Sequence, residues 1–173
     1  MGRDKALLSF QGVPLVARVA EVVARAAGSA VVIGDPGKYS GLGYAVVPDR
    51  RQGLGPLAGI EAALDFSTAD WNLVLACDMP DVSAAFLRAL LETAAASDTD
   101  VLLPAGPSGQ PEPLSAVYHR RCLPAIVAAL DAGTRKITDA LASLRVAQLP
   151  VIDDSHFQNL NTPEEWACRN ATH

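Results

Sequence analysis

The sequence predicts an α/β fold, a three-layer α/β/α arrangement around a mostly parallel sheet. Two observations predict it. Half of the residues are hydrophobic but only 5% are aromatic, so Ala, Val, Leu and Ile fill the core, the mix that buried parallel strands under helices require. Short continuous apolar runs also alternate with stretches of helical spacing along the whole chain, the pattern of β-α-β units. The 173 residues suit a single domain over 1–173, since domains run about 100 to 200 residues and one of this size buries roughly 70% of its unfolded surface.

The elements follow in order. Pro14 opens a helix over 14–27, in which Leu15, Val16, Val19, Val22 and Val23 recur at helical spacing, Pro suits the first turn and Gly28 stops it. Ala30-Val31-Val32-Ile33-Gly34 and Tyr44-Ala45-Val46-Val47 are apolar runs of strand length. A helix leaves the glycine-rich stretch Gln52-Gly53-Leu54-Gly55 and covers 55–64, and a strand over 73–77 ends at Asp78-Met79-Pro80. A helix over 83–95 capped by Ser83, strands over 100–103 and 114–118, helices over 122–132 and 137–143, and a strand over 146–151 continue the alternation. Asn161-Thr162-Pro163-Glu164-Glu165 starts a last helix, with Thr162 as cap, Pro163 at the first helical position and acids in the first turn.

Charge and cysteine usage exclude several function classes. Fourteen basic residues against 19 acidic ones leave a net charge of −5, with no basic stripe to neutralise a phosphate backbone, so nucleic acid is not an expected partner. Cys77, Cys122 and Cys168 are odd in number and widely spaced, which fits reduced cytosolic thiols better than disulfides or a zinc site. No apolar run approaches the roughly 18 to 20 residues that span a bilayer. No signal-peptide core follows the charged start, and Ala6 stands where a myristoylation signal needs Ser or Thr. A cytoplasmic protein without membrane contact is expected.

Ligand sites of such folds lie at the carboxyl ends of strands, and three residues stand out there or in a comparable loop. Met1-Gly2-Arg3-Asp4-Lys5-Ala6-Leu7-Leu8 has the character of the second half of a phosphate-binding loop, in which Lys5 acts as a point charge and Arg3 as a planar fork. Asp78 follows an apolar run and can hold a magnesium ion, which takes one or two carboxylates together with waters and substrate phosphates; that it merely caps its turn is the alternative. Asp49 precedes Arg50-Arg51-Gln52-Gly53, so a carboxylate, two guanidinium groups and a flexible loop meet where a ribose or base can be bound, or else form a solvated turn. Gly53-Leu54-Gly55-Pro56-Leu57-Ala58-Gly59 leads into a helix whose first N–H groups attract anions, without the spacing of a P-loop. His119, His156 and His173 lack metal-ligand spacing and are expected in surface or packing roles.

The opening octet, the stretch 53–60, Ala76-Cys77-Asp78-Met79-Pro80, Pro113-Leu114-Ser115-Ala116-Val117-Tyr118 and Asn159-Leu160-Asn161-Thr162-Pro163-Glu164-Glu165 together resemble the MobA family of molybdenum cofactor guanylyltransferases, in order and spacing over nearly the whole chain. The terminal Asn-Leu-Asn-Thr-Pro-Glu is closer to guanylyl members than to cytidylyl relatives, which carry Asp at the positions of Asn159 and Asn161.

The resemblance implies a Rossmann-like sheet of the nucleotidyltransferase type and transfer of GMP from GTP to molybdenum-molybdopterin, with release of pyrophosphate. It implies Lys5 on the GTP phosphates, Asp49 on the nucleoside, Asp78 on Mg2+ and nucleotide, and Asn159 and Asn161 on the pterin side. Lys5 and Asp78 are the expected catalytic pair. GTP and molybdenum-molybdopterin are the implied partners, with molybdoenzyme-maturation proteins as a further class. A cytidylyl or sugar-phosphate nucleotidyltransferase, or a non-catalytic binding module, is the alternative.

Family members begin with a strand and a Leu-Ala-Gly-Gly loop that this sequence enters midway. The first strand, which lies inside the sheet, is therefore expected to be missing here, and the natural protein is expected to have roughly 15 to 20 more residues, enough for that strand and its loop. Its neighbours would keep unpaired backbone groups, each costing about 1 to 3 kcal/mol if buried.

Overall fold

The structure, a computed structural model, describes residues 4–10 and 12–152. A 3-10 turn, Lys5–Leu7, leads into a hairpin of β1 (Ser9–Phe10) and β2 (Val13–Pro14). Helix α1 (Leu15–Ala27) follows and is closed by Gly28. Then come β3 (Val31–Ile33), α2 (Pro36–Tyr39), a 3-10 turn at Ser40–Leu42, β4 (Ala45–Val47), α3 (Pro56–Phe66) and β5 (Trp71–Leu75). The second half holds α4 (Ala84–Ala95), β6 (Val101–Ala105), β7 (Ser115–His119), a 3-10 turn at Arg120–Cys122, α5 (Leu123–Asp131), α6 (Ile137–Ala140) and β8 (Val146–Pro150).

Strands β3 and β4 pair in parallel, and a separate sheet has the order β5-β7-β6-β8. Within it β6 and β8 are parallel, whereas β7 is antiparallel to both β5 and β6. Three of these four strands thus share a direction, as expected, and β7 is reversed. The reason is the link from Ala105 to Ser115, which is shorter than the dozen or more residues a parallel crossover needs and folds back through a bridge between Ala105 and Pro111.

The period-two alternation of β7 explains the layering. Ala116 and Tyr118 face α3 and α5, in a core with Leu57, Ile60, Leu64, Ile126 and Leu130. Val117 faces the opposite side, in a core with Leu87, Leu90 and Leu102 against which Val22 and Val23 of α1 also pack. Helices α1 and α3 both lie against β3 and against β5, so the two sheet pieces share their covering layers. Among the described residues, β3 and β5 do not pair with each other.

Several sequence-based bounds need correction. The strand expected over 73–77 is β5, two residues earlier, because its ladder with β7 begins at Trp71 opposite His119 and ends at Leu75 opposite Ser115. Ala76 keeps one bond, donating to the Leu114 carbonyl at 2.7 Å, and the chain then turns, apolar though Ala76 and Cys77 are. The helix expected over 137–143 shortens to the single turn of α6. The hairpin and α2 were not predicted. The helix start at 161–165 lies outside the described residues, as do Cys168, His156 and His173.

Candidate active site

Lys5 sits in the first 3-10 turn. Asp4 caps that turn by accepting from the Ala6 amide at 3.2 Å, and it also accepts from the Tyr39 hydroxyl at 2.9 Å and from Lys38 Nζ at 3.4 Å. Tyr39 ends α2, just past the carboxyl end of β3, so the loop bearing Lys5 is tied to that strand's exit. Gly34 makes the contact possible, because a Cβ there would lie 2.6 Å from the Tyr39 ring. Burial and then the Asp4 hydrogen bond push the Tyr39 hydroxyl up to about 12. Burial alone would raise Asp4 as well, but the Tyr39, Ala6 and Lys38 bonds together hold its carboxyl below the ordinary value.

Asp78 approaches from the neighbouring strand. It lies three residues beyond β5, in the turn that Cys77 begins, and is half-buried. Cys77 packs with Tyr39 against the cluster of Ala6, Val16, Ala20 and Val32. Its thiol is pushed up first by burial and then by the charge of Asp78, with Asp4 adding to the rise and Lys5 opposing it. Ala6, next to Lys5, and Cys77, next to Asp78, thus belong to one packed cluster although they stand far apart in the chain.

Asp49 is not tied into this cluster by any described contact. It follows β4 and accepts from the Arg51 amide at 2.9 Å, closing a local turn. The two guanidinium groups expected to join it are engaged elsewhere: Arg51 pairs with Glu61 at 2.9 Å and with Asp131 at 2.6 Å, and Arg50 pairs with Asp65 at 2.8 Å. Arg51 thereby pins the glycine-rich loop to α3 and α5. Gly55, the residue before α3, has φ 79°, a left-handed backbone that a side chain would resist, and Pro56 at the first helical position starts the helix without a side-chain cap.

One carboxylate at this edge escaped the sequence reading. Leu114, which accepts from Ala76 beside β5, lies two residues past Glu112, and burial raises the Glu112 carboxyl above its ordinary value. The signal was its position between Pro111 and Pro113, where a charged residue is held in a rigid loop. His119 has a packing role, its ring 4.7 Å from that of Trp71 and its Nδ1 accepting from the Arg121 amide. Asn159 and Asn161 lie outside the described residues.

No group of three or more His, Cys, Asp or Glu among the described residues forms a ready-made metal cage.

Residues 1–146 match the model of the MobA-like NTP transferase domain. The chain belongs to this family. A probable molybdenum cofactor guanylyltransferase of Deinococcus radiodurans is 34% identical over 166 residues, covering 96% of this chain and 85% of the relative. A molybdenum cofactor guanylyltransferase of Pseudomonas putida is 36% identical over 167 residues, covering 94% and 86%. The crystal structure of molybdopterin-guanine dinucleotide biosynthesis protein A from Archaeoglobus fulgidus superposes with a TM-score of 0.83 at 28% identity, covering 99% of this chain and 91% of that one. Membership of the MobA-like family makes the chain a nucleotidyltransferase with the Rossmann-like fold that its sequence predicts.

Proposed function

We propose that this chain is a molybdenum cofactor guanylyltransferase, which transfers GMP from GTP to the terminal phosphate of molybdenum-molybdopterin. The observation that supports the reading is the packing of Cys77, which adjoins Asp78, on the cluster that holds Ala6, which adjoins Lys5, in a chain that covers 85% and 86% of relatives bearing that name. An oxygen of the pterin's terminal phosphate attacks the α-phosphorus of GTP in line. The bond from the α-phosphorus to its bridging oxygen breaks, and pyrophosphate leaves with the electron pair.

This chemistry needs positioning and charge neutralisation rather than a protein nucleophile. Lys5 places its ammonium on the triphosphate, where a compact point charge offsets negative charge that grows on the leaving group. Asp78 would hold Mg2+, which would supply Lewis-acid charge to the phosphates. Asp49 receives the nucleoside, and Asn159 and Asn161 serve the pterin side. The whole of 1–173 acts as one domain, in the cytoplasm, and molybdoenzyme-maturation proteins are the expected recipients of the product.

Pyrophosphate release from GTP, CTP, ATP and UTP with Mg2+ and molybdenum-loaded molybdopterin tests the reading. Turnover confined to GTP is expected. Turnover with CTP but not GTP makes the chain a cytidylyltransferase, and no turnover with any of the four leaves a non-catalytic binding module.

A further inference from the structure

Tyr39 takes no part in the reaction above, yet its hydroxyl donates to Asp4, the cap of the Lys5 turn, at 2.9 Å. We propose that Tyr39 is a positioning residue for Lys5: its hydrogen bond to Asp4 holds the turn that aims the ammonium at the nucleotide phosphates. The proposal deepens the guanylyltransferase reading and rests on it.

A three-residue 3-10 turn does not hold itself, because its few bonds do not repay the ordering of its backbone. Here the internal bonds are Leu7 to Asp4 and Leu8 to Lys5, each 3.1 Å through the backbone, and the 3.2 Å cap from the Ala6 amide to Asp4. Two side chains reach the cap from outside. Lys38 is 54% exposed at 3.4 Å from Asp4, a surface pair of little weight. Tyr39 is half-buried and donates at 2.9 Å to a carboxylate, a charge-assisted bond of the stronger kind.

The Tyr39 ring is itself seated. It lies where any side chain at position 34 would intrude, and it packs with Cys77 on the cluster that buries Ala6. From Gly34 through the ring and hydroxyl to Asp4, each part has one neighbour to fix. The outcome is the position of the residue after Asp4. Lys5 has a long flexible stem, and placing its charge within reach of a phosphate costs less when the backbone carrying it is already fixed.

Tyr39→Phe keeps the ring and removes the bond. The expected result is a GTP dissociation constant about threefold to tenfold weaker, a KM for GTP raised in step, a smaller change in kcat, and an unchanged thermal midpoint. In a Lys5→Ala background the same substitution is expected to change GTP affinity no further, since coupled residues are not additive. Hydrogen exchange at the Ala6, Leu7 and Leu8 amides is expected to quicken in Tyr39→Phe. Unchanged GTP affinity, or the same loss with Lys5 already removed, overturns the proposal. A wild type that turns over no GTP sinks the guanylyltransferase reading instead, and the amide exchange then shows separately whether Tyr39 holds the turn: unaltered exchange overturns that holding role.

Discussion

At the residue scale, Cys77 joins two segments: it precedes Asp78 in the chain and packs on the cluster that holds Ala6, the residue after Lys5. Asp78→Asn keeps the size and turn-forming capacity of the side chain but removes the charge that a hard cation needs. Pyrophosphate release in this variant is expected to fall by at least about 10²-fold, with the urea midpoint unchanged within error; retention of full activity would return Asp78 to the role of a turn cap. The sequence pointed to both residues by type and placement. What it could not show was Asp4 spending its oxygens on Tyr39 and Lys38, or Arg50 and Arg51 spending their guanidinium groups on Asp65, Glu61 and Asp131. Those partners sit up to 80 positions away in the chain, and no local pattern announces them.

Among the elements, α4 was the most legible. Ser83 caps it as expected, its hydroxyl accepting from the Phe86 amide at 3.2 Å, and the helix runs Ala84–Ala95. Ser83→Ala is expected to cost about 1 kcal/mol in urea unfolding and Ser83→Gly only a few tenths; equal costs for the two would mean that the hydroxyl contributes nothing. Caps and prolines are local chemistry and can be read directly. The end of β5 is not local, because whether Ala76 and Cys77 extend a strand depends on where β7 stops pairing. The short α2 was hidden for a related reason. Its Pro36-Gly37-Lys38-Tyr39 has poor helical propensity, and the turn forms because the Asp35 side chain accepts from the Gly37 amide and Tyr39 finds a seat against Gly34.

Across the whole molecule, charge is divided between two ends of the sheet. Opposite the candidate site, at the amino end of β6, the buried Asp100 accepts from the Arg145 side chain and amide and from Arg121, while Arg145 also pairs with Asp98 at 2.6 Å. The Arg145 hydrogen bonds above all, against the opposing effect of burial, hold the Asp100 carboxyl far below its usual range. A depressed folded value means that the unfolded chain takes up the proton first. The network's contribution is therefore complete above the unfolded value of about 4 and is lost as pH falls towards the folded one. Asp100→Asn is expected to lower the thermal midpoint at neutral pH, to flatten the acid limb of a midpoint-versus-pH curve below about pH 4, and to leave GTP affinity intact. An acid limb as steep as that of the wild type would locate the titrating group elsewhere.

The division of the sheet bears on how the molecule breathes. Strands β3 and β4 hold each other through three residue pairs and meet the larger sheet through shared helices, with no ladder of backbone bonds described between them. Cooperative units tend to follow such seams. The half that carries Tyr39 and leads to Asp49 should open on its own while β6 and β7 stay closed, and native-state exchange would show the Val32 and Val46 amides reaching solvent at a lower free energy than those of Leu102 and Val117. A nucleotide gripped from both sides of the seam would abolish that difference, so the measure of binding in this protein would be the cohesion that its ligand lends to the two halves.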